Sequence, residues 1–228
     1  MKEVNSYGWK AVIGSSIGYA MDGFDLLILG FMLTLISGDL GLTTGQAGSL
    51  VTWTLVGAVI GGFIFGTLSD KFGRVRVLTW TIVLFAVFTG LCAFAQGYWD
   101  LLIYRTIAGI GLGGEFGIGM ALAAEAWPAQ HRAKATSYVA IGWQLGVLAA
   151  ALLTPVLLPY IGWRCMFMVG IIPAFVAWIF RAKLHEPEIF VQSKDTKEHS
   201  HTNSFKLLVK DVRTTKTSIG VAILTSVQ

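Results

Sequence analysis

The sequence predicts an all-α membrane protein, a bundle of six transmembrane helices followed by the start of a seventh. Hydrophobic residues make up 54% of its 228 residues and charged residues only 13%. A soluble domain carries about a quarter charged residues, so this composition excludes an ordinary water-soluble domain. The apolar residues also fall into long runs, and a helix needs about 20 apolar residues to cross a bilayer.

Six apolar runs are long enough to cross a bilayer and form a first predicted domain, residues 1–183. The predicted spans are residues 11–36, 46–68, 76–96, 99–122, 136–159 and 164–182. The first run is too long for the apolar part of a cleavable signal peptide, so we expect it to remain as a helix. A polar segment, residues 184–216, is a predicted linker, and residues 217–228 are too short to span and predict a truncated seventh helix.

Lys and Arg are concentrated in every second loop. Basic residues occupy the N-terminus, the loops after the second and fourth spans, and the segment after the sixth span, whereas loops 38–45, 96–99 and 160–163 contain none. Basic loops stay on the cytoplasmic side of a membrane. The pattern therefore predicts a cytoplasmic N-terminus and a cytoplasmic linker. His185, His199 and His201 in the linker lack the Cys and the helical spacing of a metal site, so neither a metal nor a cofactor is expected.

Two carboxylates lie near the middle of the first span. An ionisable residue inside a membrane costs about 2.5–3.5 kcal/mol on insertion scales, so each one requires a reason. Asp22 and Asp25 are three residues apart and share one helix face. Like charges this close favour a protonated carboxyl, the property that a proton carrier needs. The alternative is that each carboxylate accepts hydrogen bonds from neighbouring helices and fixes their packing.

The fourth span carries one buried cation and one further acid. Arg105 lies about 7–8 Å outside the middle of this span at 1.5 Å per residue, and its long side chain could reach Asp25, which lies near the midplane and slightly outside. Arg does not deprotonate in proteins, so we predict an Asp25–Arg105 ion pair with Asp22 as the competing partner. Protonation of the Asp would release Arg105 to an anionic substrate; a static structural salt bridge is the alternative. Glu115 lies on the inner side of the middle of the same span. It is predicted to be either a second proton site or a hydrogen-bond anchor to another helix.

Glycines recur at helical spacing in the same span. Gly109, Gly113 and Gly117 follow Arg105 at intervals of four residues, and a small-residue stripe lets another helix approach closely. The run also matches a dinucleotide-binding fingerprint, but it lies inside an apolar helix rather than after a strand, so that interpretation is rejected. We expect tight helix packing here, and an interface along which the helices slide is a functional alternative compatible with it.

The loop after the second span carries a recognisable motif, Gly66-Thr-Leu-Ser-Asp70-Lys71-Phe-Gly73-Arg74-Val-Arg76. It resembles the cytoplasmic signature of the major facilitator superfamily, Gly-x-x-x-Asp-Arg/Lys-x-Gly-Arg/Lys-x-Arg/Lys. Topology alone would demand basic residues here but not the acid and glycines at this spacing. Three further segments resemble motifs of the same family: Arg105-x-x-x-Gly109-x-Gly111, Glu125-Ala-Trp-Pro128-x-x-x-Arg132 and Gly162-Trp163-Arg164-x-x-Phe167. Within the family, Asp22-Gly-Phe-Asp25, Glu125-x-Trp-Pro and Gly-Trp-Arg followed by Ile-Ile-Pro173 look most like the sialic acid:proton symporters, with aromatic-acid and related metabolite symporters close behind.

The resemblance implies a twelve-helix, two-bundle transporter of a bacterial inner membrane that works by alternating access, with substrate bound between the bundles. It implies proton coupling at Arg105 and gating by the signature loop, and the missing partner would be a C-terminal six-helix half. We expect proton-coupled uptake of a small organic anion such as a sialate, an aromatic acid or another carboxylate. A facilitator or symporter for a neutral sugar or polyol is the alternative. A membrane enzyme is disfavoured because all four His lie in loops. The expected partners are the lipid bilayer, the substrate and protons, and no nucleic-acid partner is expected.

Overall fold

The structure, a computed structural model, describes residues 6–182. It contains five α-helices: α1 (Ser6–Leu40), α2 (Thr44–Phe72), α3 (Arg74–Cys92), α4 (Tyr98–Glu125) and α5 (Arg132–Ala182). All five are long and apolar enough to cross a membrane. No strand occurs between residues 6 and 182, which confirms the all-α class for this part of the chain. The predicted linker 184–216, its histidines and the predicted helix 217–228 lie outside the described residues.

α2 begins at a capping box. The Thr43 side chain accepts a hydrogen bond from the Gln46 backbone N–H at 3.3 Å, and the Gln46 side chain accepts one from the Thr43 N–H at 2.9 Å. These bonds satisfy two backbone donors that a helix N-terminus otherwise leaves unpaired. They start the helix two residues before the predicted span 46–68, because polar capping residues extend a helix beyond its apolar stretch.

α5 joins two of the predicted spans, 136–159 and 164–182, in one helix of 51 residues that Gly162 interrupts. Gly162 has φ 68° and ψ 171°, a region open essentially to glycine alone. Two helices therefore meet at Gly162, inside the predicted loop 160–163, and the backbone is helical on both sides of it. We call residues 132–161 the first arm and residues 163–182 the second arm of α5.

The first arm runs alongside α1 in the same direction. A Cβ built on Gly142 would lie 2.2 Å from the Ser16 carbonyl oxygen, and one on Gly146 would lie 1.8 Å from that of Ala20. Contacts move along α1 and along the first arm in the same order, so the two helices are parallel. The two backbones touch, which only glycine permits at this distance.

The second arm runs back along α1 in the opposite direction. Trp163, at its start, donates a hydrogen bond from Nε1 to Asp39 near the end of α1 at 3.1 Å. Further along the arm, Ala174 packs in one buried cluster with Met21 of α1. The chain therefore reverses at Gly162.

α2 and α4 meet along a second glycine seam. A Cβ on Gly109 would lie 2.2 Å from the Thr54 carbonyl oxygen, and one on Gly113 would lie 1.7 Å from that of Ala58. The predicted packing role of these two glycines is confirmed. It does not extend to Gly117, which is exposed and where a Cβ would meet nothing within 4 Å.

Candidate functional site

A buried ion pair links α1 to α4 at membrane depth. Arg105 donates from Nη1 to Asp25 Oδ1 at 3.0 Å and from Nη2 to Oδ2 at 2.8 Å. The Arg105 side chain is 0% exposed and that of Asp25 is 1% exposed. Two parallel bonds to one carboxylate are the geometry that a planar guanidinium favours. The predicted contact between these residues is therefore confirmed, and Asp25 is the bidentate partner.

Apolar and weakly polar groups surround the pair. The Phe167 ring centroid lies 5.9 Å from Arg105 Cζ. Phe167 belongs with Ile28, Leu29 and Leu101 to a cluster of fully buried side chains. In such surroundings a lone charge is far less stable than in water, so anything that neutralises Asp25 changes the electrostatic state of Arg105.

The two other acids predicted at membrane depth lie outside this pair. Asp22 is fully buried one turn before Asp25 and within electrostatic reach of Tyr19. Glu115 is 2% exposed and accepts a hydrogen bond from Thr81 Oγ1 at 3.2 Å. Glu115 therefore ties α4 to α3, which supports its anchoring interpretation without testing the alternative of a second proton site.

The signature loop forms a charge cluster at the junction of α2, α3 and α4. Arg74 Nη1 lies 2.8 Å from Asp70 Oδ1, and Nη2 lies 3.1 Å from Glu125 Oε1. Arg74 also donates from Nη1 to Ser69 Oγ at 2.6 Å. Gly73 turns the chain between α2 and α3 with φ 109° and ψ 150°, again a conformation reserved for glycine. One guanidinium thus holds three helix ends together.

The remaining residues of the predicted signature are peripheral to this charge cluster. Lys71, Arg76 and Arg132 have exposed side chains, and a Cβ on Gly66 would meet nothing within 4 Å. Glu125 was predicted as part of a separate motif, and its bond to Arg74 was not predicted. The position of Glu125 at the cytoplasmic end of the fourth span, on the same side as the basic loops, could have indicated a bond to a basic residue there.

A second charge cluster at the opposite end of the bundle was not predicted at all. Arg164 donates hydrogen bonds from Nη1 to Asp39 Oδ2 and from Nη2 to the Ala95 carbonyl at 3.3 Å. Its Cζ lies 4.2 Å from the Trp163 ring centroid, and Trp163 is 5% exposed. These contacts join the end of α1, the segment after α3 and the start of the second arm of α5.

Comparison with known proteins places this geometry in a family. The sequence model that describes the Major Facilitator Superfamily matches residues 15–227 of this chain. A putative metabolite transport protein of Haemophilus influenzae is 74% identical over 99% of this chain and 57% of its own length. The sialic acid transporter NanX of Escherichia coli is 33% identical over 85% of this chain and 48% of its own. The chain spans about half the length of the curated relatives it matches.

Solved structures agree on the fold. The xylose transporter XylE from E. coli, in a partially occluded inward-open conformation, superposes with a TM-score of 0.75 at 24% sequence identity. The match covers 85% of this chain and 52% of that one. At this level of identity the likeness shows the fold alone.

Proposed function

The chain belongs to the Major Facilitator Superfamily, and on that premise we propose that it forms the N-terminal half of a secondary transporter that takes up a small organic anion together with protons. The chain is an integral membrane protein of a family of metabolite transporters. The proposal of proton-coupled anion uptake rests on the fully buried, bidentate Asp25–Arg105 pair. Paired ionisable residues at membrane depth are typical of substrate pathways and proton relays, and this pair combines a permanent cation with a titratable acid.

We infer that the described helices cross the bilayer six times. The two arms of α5 on either side of Gly162, residues 132–161 and 163–182, are about 45 Å and about 30 Å long at 1.5 Å per residue, and the hydrocarbon core is about 30 Å thick. The reversal at Gly162 therefore divides α5 into a fifth and a sixth crossing. With the basic Arg74 loop on the cytoplasmic side of a bacterial inner membrane, the N-terminus is cytoplasmic too. A second six-helix bundle would complete the transporter.

Proton binding at Asp25 is the proposed coupling step. The proton converts the carboxylate into a neutral acid, which weakens both hydrogen bonds from Arg105. Because Arg105 stays charged and lies in a low-dielectric interior, its positive charge then acts over a long distance. A substrate anion that enters the bundle restores the balance of charge. Proton and anion thereby favour each other's binding.

An organic acid is the substrate class that we propose. The printed names of relatives include sialic acid, cis,cis-muconate and benzoate, and each of these is a carboxylate at neutral pH. A buried guanidinium favours an anion over a neutral sugar on electrostatic grounds. The likeness to a xylose transporter concerns the fold and does not favour a sugar substrate.

Uptake driven by a pH gradient tests the proposal. Proteoliposomes with the full-length protein and a medium about one pH unit more acidic outside should accumulate a radiolabelled monocarboxylate about tenfold, if one proton accompanies each anion. A protonophore should collapse this accumulation, and empty liposomes are the control. Accumulation that survives the protonophore would show that protons do not drive transport.

The Arg74 cluster supplies a separate prediction about gating. Asp70→Asn removes one of the two carboxylates on Arg74 but leaves Glu125 in place. The pair is partly exposed, so we expect a stability change below about 1 kcal/mol, with slower transport and nearly unchanged equilibrium binding of substrate. Transport rates in proteoliposomes and binding in detergent measure the two effects, with Lys134→Gln, in the first turn of α5, as control. Equal losses of binding and transport would contradict a gating role.

A further inference from the structure

Three aromatic side chains from three helices meet beside Asp22. The Tyr19 ring centroid of α1 lies 4.9 Å from that of Phe116 on α4 and 5.1 Å from that of Trp143 on α5. Phe116 is 46% exposed, and Tyr19 and Trp143 are half-buried. We call these three residues the aromatic surface. Each ring contacts a neighbour and still presents part of its area outward.

The aromatic surface lies deep in the membrane. Measured from the middles of their predicted spans at 1.5 Å per residue, Tyr19 and Trp143 lie about 7 Å and Phe116 about 8 Å towards the cytoplasm. The hydrocarbon core extends about 15 Å on each side of its middle. Tyr and Trp are normally enriched at the membrane interfaces, where their polar atoms reach water. Their position at this depth therefore requires another explanation.

The residues next to the aromatic surface are polar or leave open space. Gln144, which follows Trp143, is exposed at the same depth, and an amide facing lipid would lose its hydrogen bonds to water. Gly117, which follows Phe116, is exposed, and a Cβ there would meet nothing within 4 Å. This surface therefore faces a polar space inside the transporter rather than lipid.

Backbone contacts hold the aromatic surface in shape. A Cβ on Gly23, one residue after Asp22, would lie 2.7 Å from the Trp143 carbonyl oxygen. The backbones of α1 and the first arm of α5 are therefore in direct contact at the level of the Trp143 indole. On the other side, Gly119 of α4 packs against Ser15 of α1, with 3.5 Å from a Cβ on Gly119 to the Ser15 Cβ. Rings fixed in this way can bind a flat ligand without first being ordered.

We propose that the aromatic surface binds the ring of the substrate, so that the transported acid is a carboxylate on a flat, unsaturated ring. Flat rings stack on or pack edge-on against Tyr, Phe and Trp because their quadrupoles are complementary. A saturated ring of similar size is puckered and lacks that quadrupole. The inference rests on the proposed transport function and assigns the choice among organic acids to Tyr19, Phe116 and Trp143.

The aromatic surface and the ion pair have separate roles in this proposal: the rings bind the substrate, and the ion pair couples transport to protons. Arg105 and Phe116 are eleven residues apart on α4, about 16 Å along the helix axis, and Arg105 is fully buried. A small acid seated on the rings therefore does not also reach the ion pair. Substitutions in the aromatic surface should change affinity, whereas the accumulation ratio at equilibrium, which the protons set, should stay the same.

A comparison of benzoate with cyclohexanecarboxylate tests the inference. The two acids have the same charge and similar size, and only benzoate is flat and aromatic. With purified full-length protein in lipid nanodiscs, Phe116→Leu should weaken benzoate binding about threefold to tenfold and change cyclohexanecarboxylate binding less than twofold. The control is Phe175→Leu, since Phe175 is 58% exposed and stacks on Trp178 at 5.9 Å, away from the aromatic surface. It should change neither affinity.

Several outcomes would overturn the inference. Equal weakening of both acids by Phe116→Leu would mean that the rings only pack the helix junction, and no change in either would mean that they do not face the substrate. Phe116→Tyr keeps the ring and should retain benzoate affinity, and loss of affinity in this variant would also count against the inference. Should Phe116→Leu fail to fold, Trp143→Leu carries the same comparison. Proton-driven uptake of other organic acids without benzoate binding would leave the proposed function standing and remove this inference alone.

Discussion

Replacing Asp25 with Asn should abolish uphill accumulation of substrate and lower the stability of the protein. The variant removes the proposed proton site and leaves Arg105 as a buried charge without its bidentate partner. Removal of one member of a buried ion pair costs about 3–5 kcal/mol. Accumulation in proteoliposomes under an acid-outside pH gradient and the midpoint of thermal unfolding in detergent measure the two effects.

A second variant separates the loss of the proton site from the loss of stability. In the double variant Asp25→Asn with Arg105→Gln no charge remains at the site, and two amides can hydrogen-bond to each other. We expect its thermal midpoint to recover most of the loss, because the unpaired charge is the main cost, while accumulation stays absent. Normal accumulation by Asp25→Asn would show that Asp25 is not the proton carrier. A double variant as unstable as the single one would show that shape rather than charge dominates the site.

Gly113→Ala should disrupt the seam between α2 and α4. Its Cβ would lie 1.7 Å from the Ala58 carbonyl oxygen and 2.6 Å from the Ala58 Cα, and backbone atoms cannot rotate away as a side chain can. We expect a loss of about 3 kcal/mol in the free energy of unfolding, the upper end of the usual cost of overpacking. Thermal unfolding and size-exclusion chromatography in detergent measure it.

Gly117→Ala is the matched control for that variant. It is one helical turn away on the same helix, and its Cβ would meet nothing within 4 Å. Alanine is also the better helix former by about 1 kcal/mol, so the thermal midpoint should stay or rise. A similar loss in both variants would mean that the helix requires glycine for flexibility rather than for close approach.

The ion pair and most of the seam could be predicted because they depend on properties of single helices. The depth of a residue follows from its place in an apolar run, and a permanent cation at that depth requires an acid at the same level. That reasoning led to Asp25 and Arg105. The interval of four residues led to Gly109 and Gly113. It could not show that Gly117 is exposed rather than packed, because spacing along one helix does not show where a neighbouring helix lies.

The charge clusters at the two ends of the bundle could not be predicted in the same way. The bond from Arg74 to Glu125 and the bond from Arg164 to Asp39 each join helix ends that are distant in sequence. Periodicity and hydropathy describe which face of a helix is buried, and these residues lie at the ends, where both patterns stop. Only the packing of whole helices brings them together. The break near Gly162 was predicted as a four-residue loop, 160–163, between two helical spans, whereas in the structure Gly162 alone has non-helical backbone angles there.

The neutrality of the Asp25–Arg105 pair has a consequence for the response of the protein to membrane voltage. A pair of opposite charges that moves as a unit does almost no electrical work in the transmembrane field. Once Asp25 holds a proton, one positive charge remains, and carrying it across 100 mV is worth about 2.3 kcal/mol. A bound monoanion cancels it again. Co-transport of one proton with one monoanion in the same direction would therefore be silent in a current recording, and a voltage-dependent current would reveal an additional proton in each cycle.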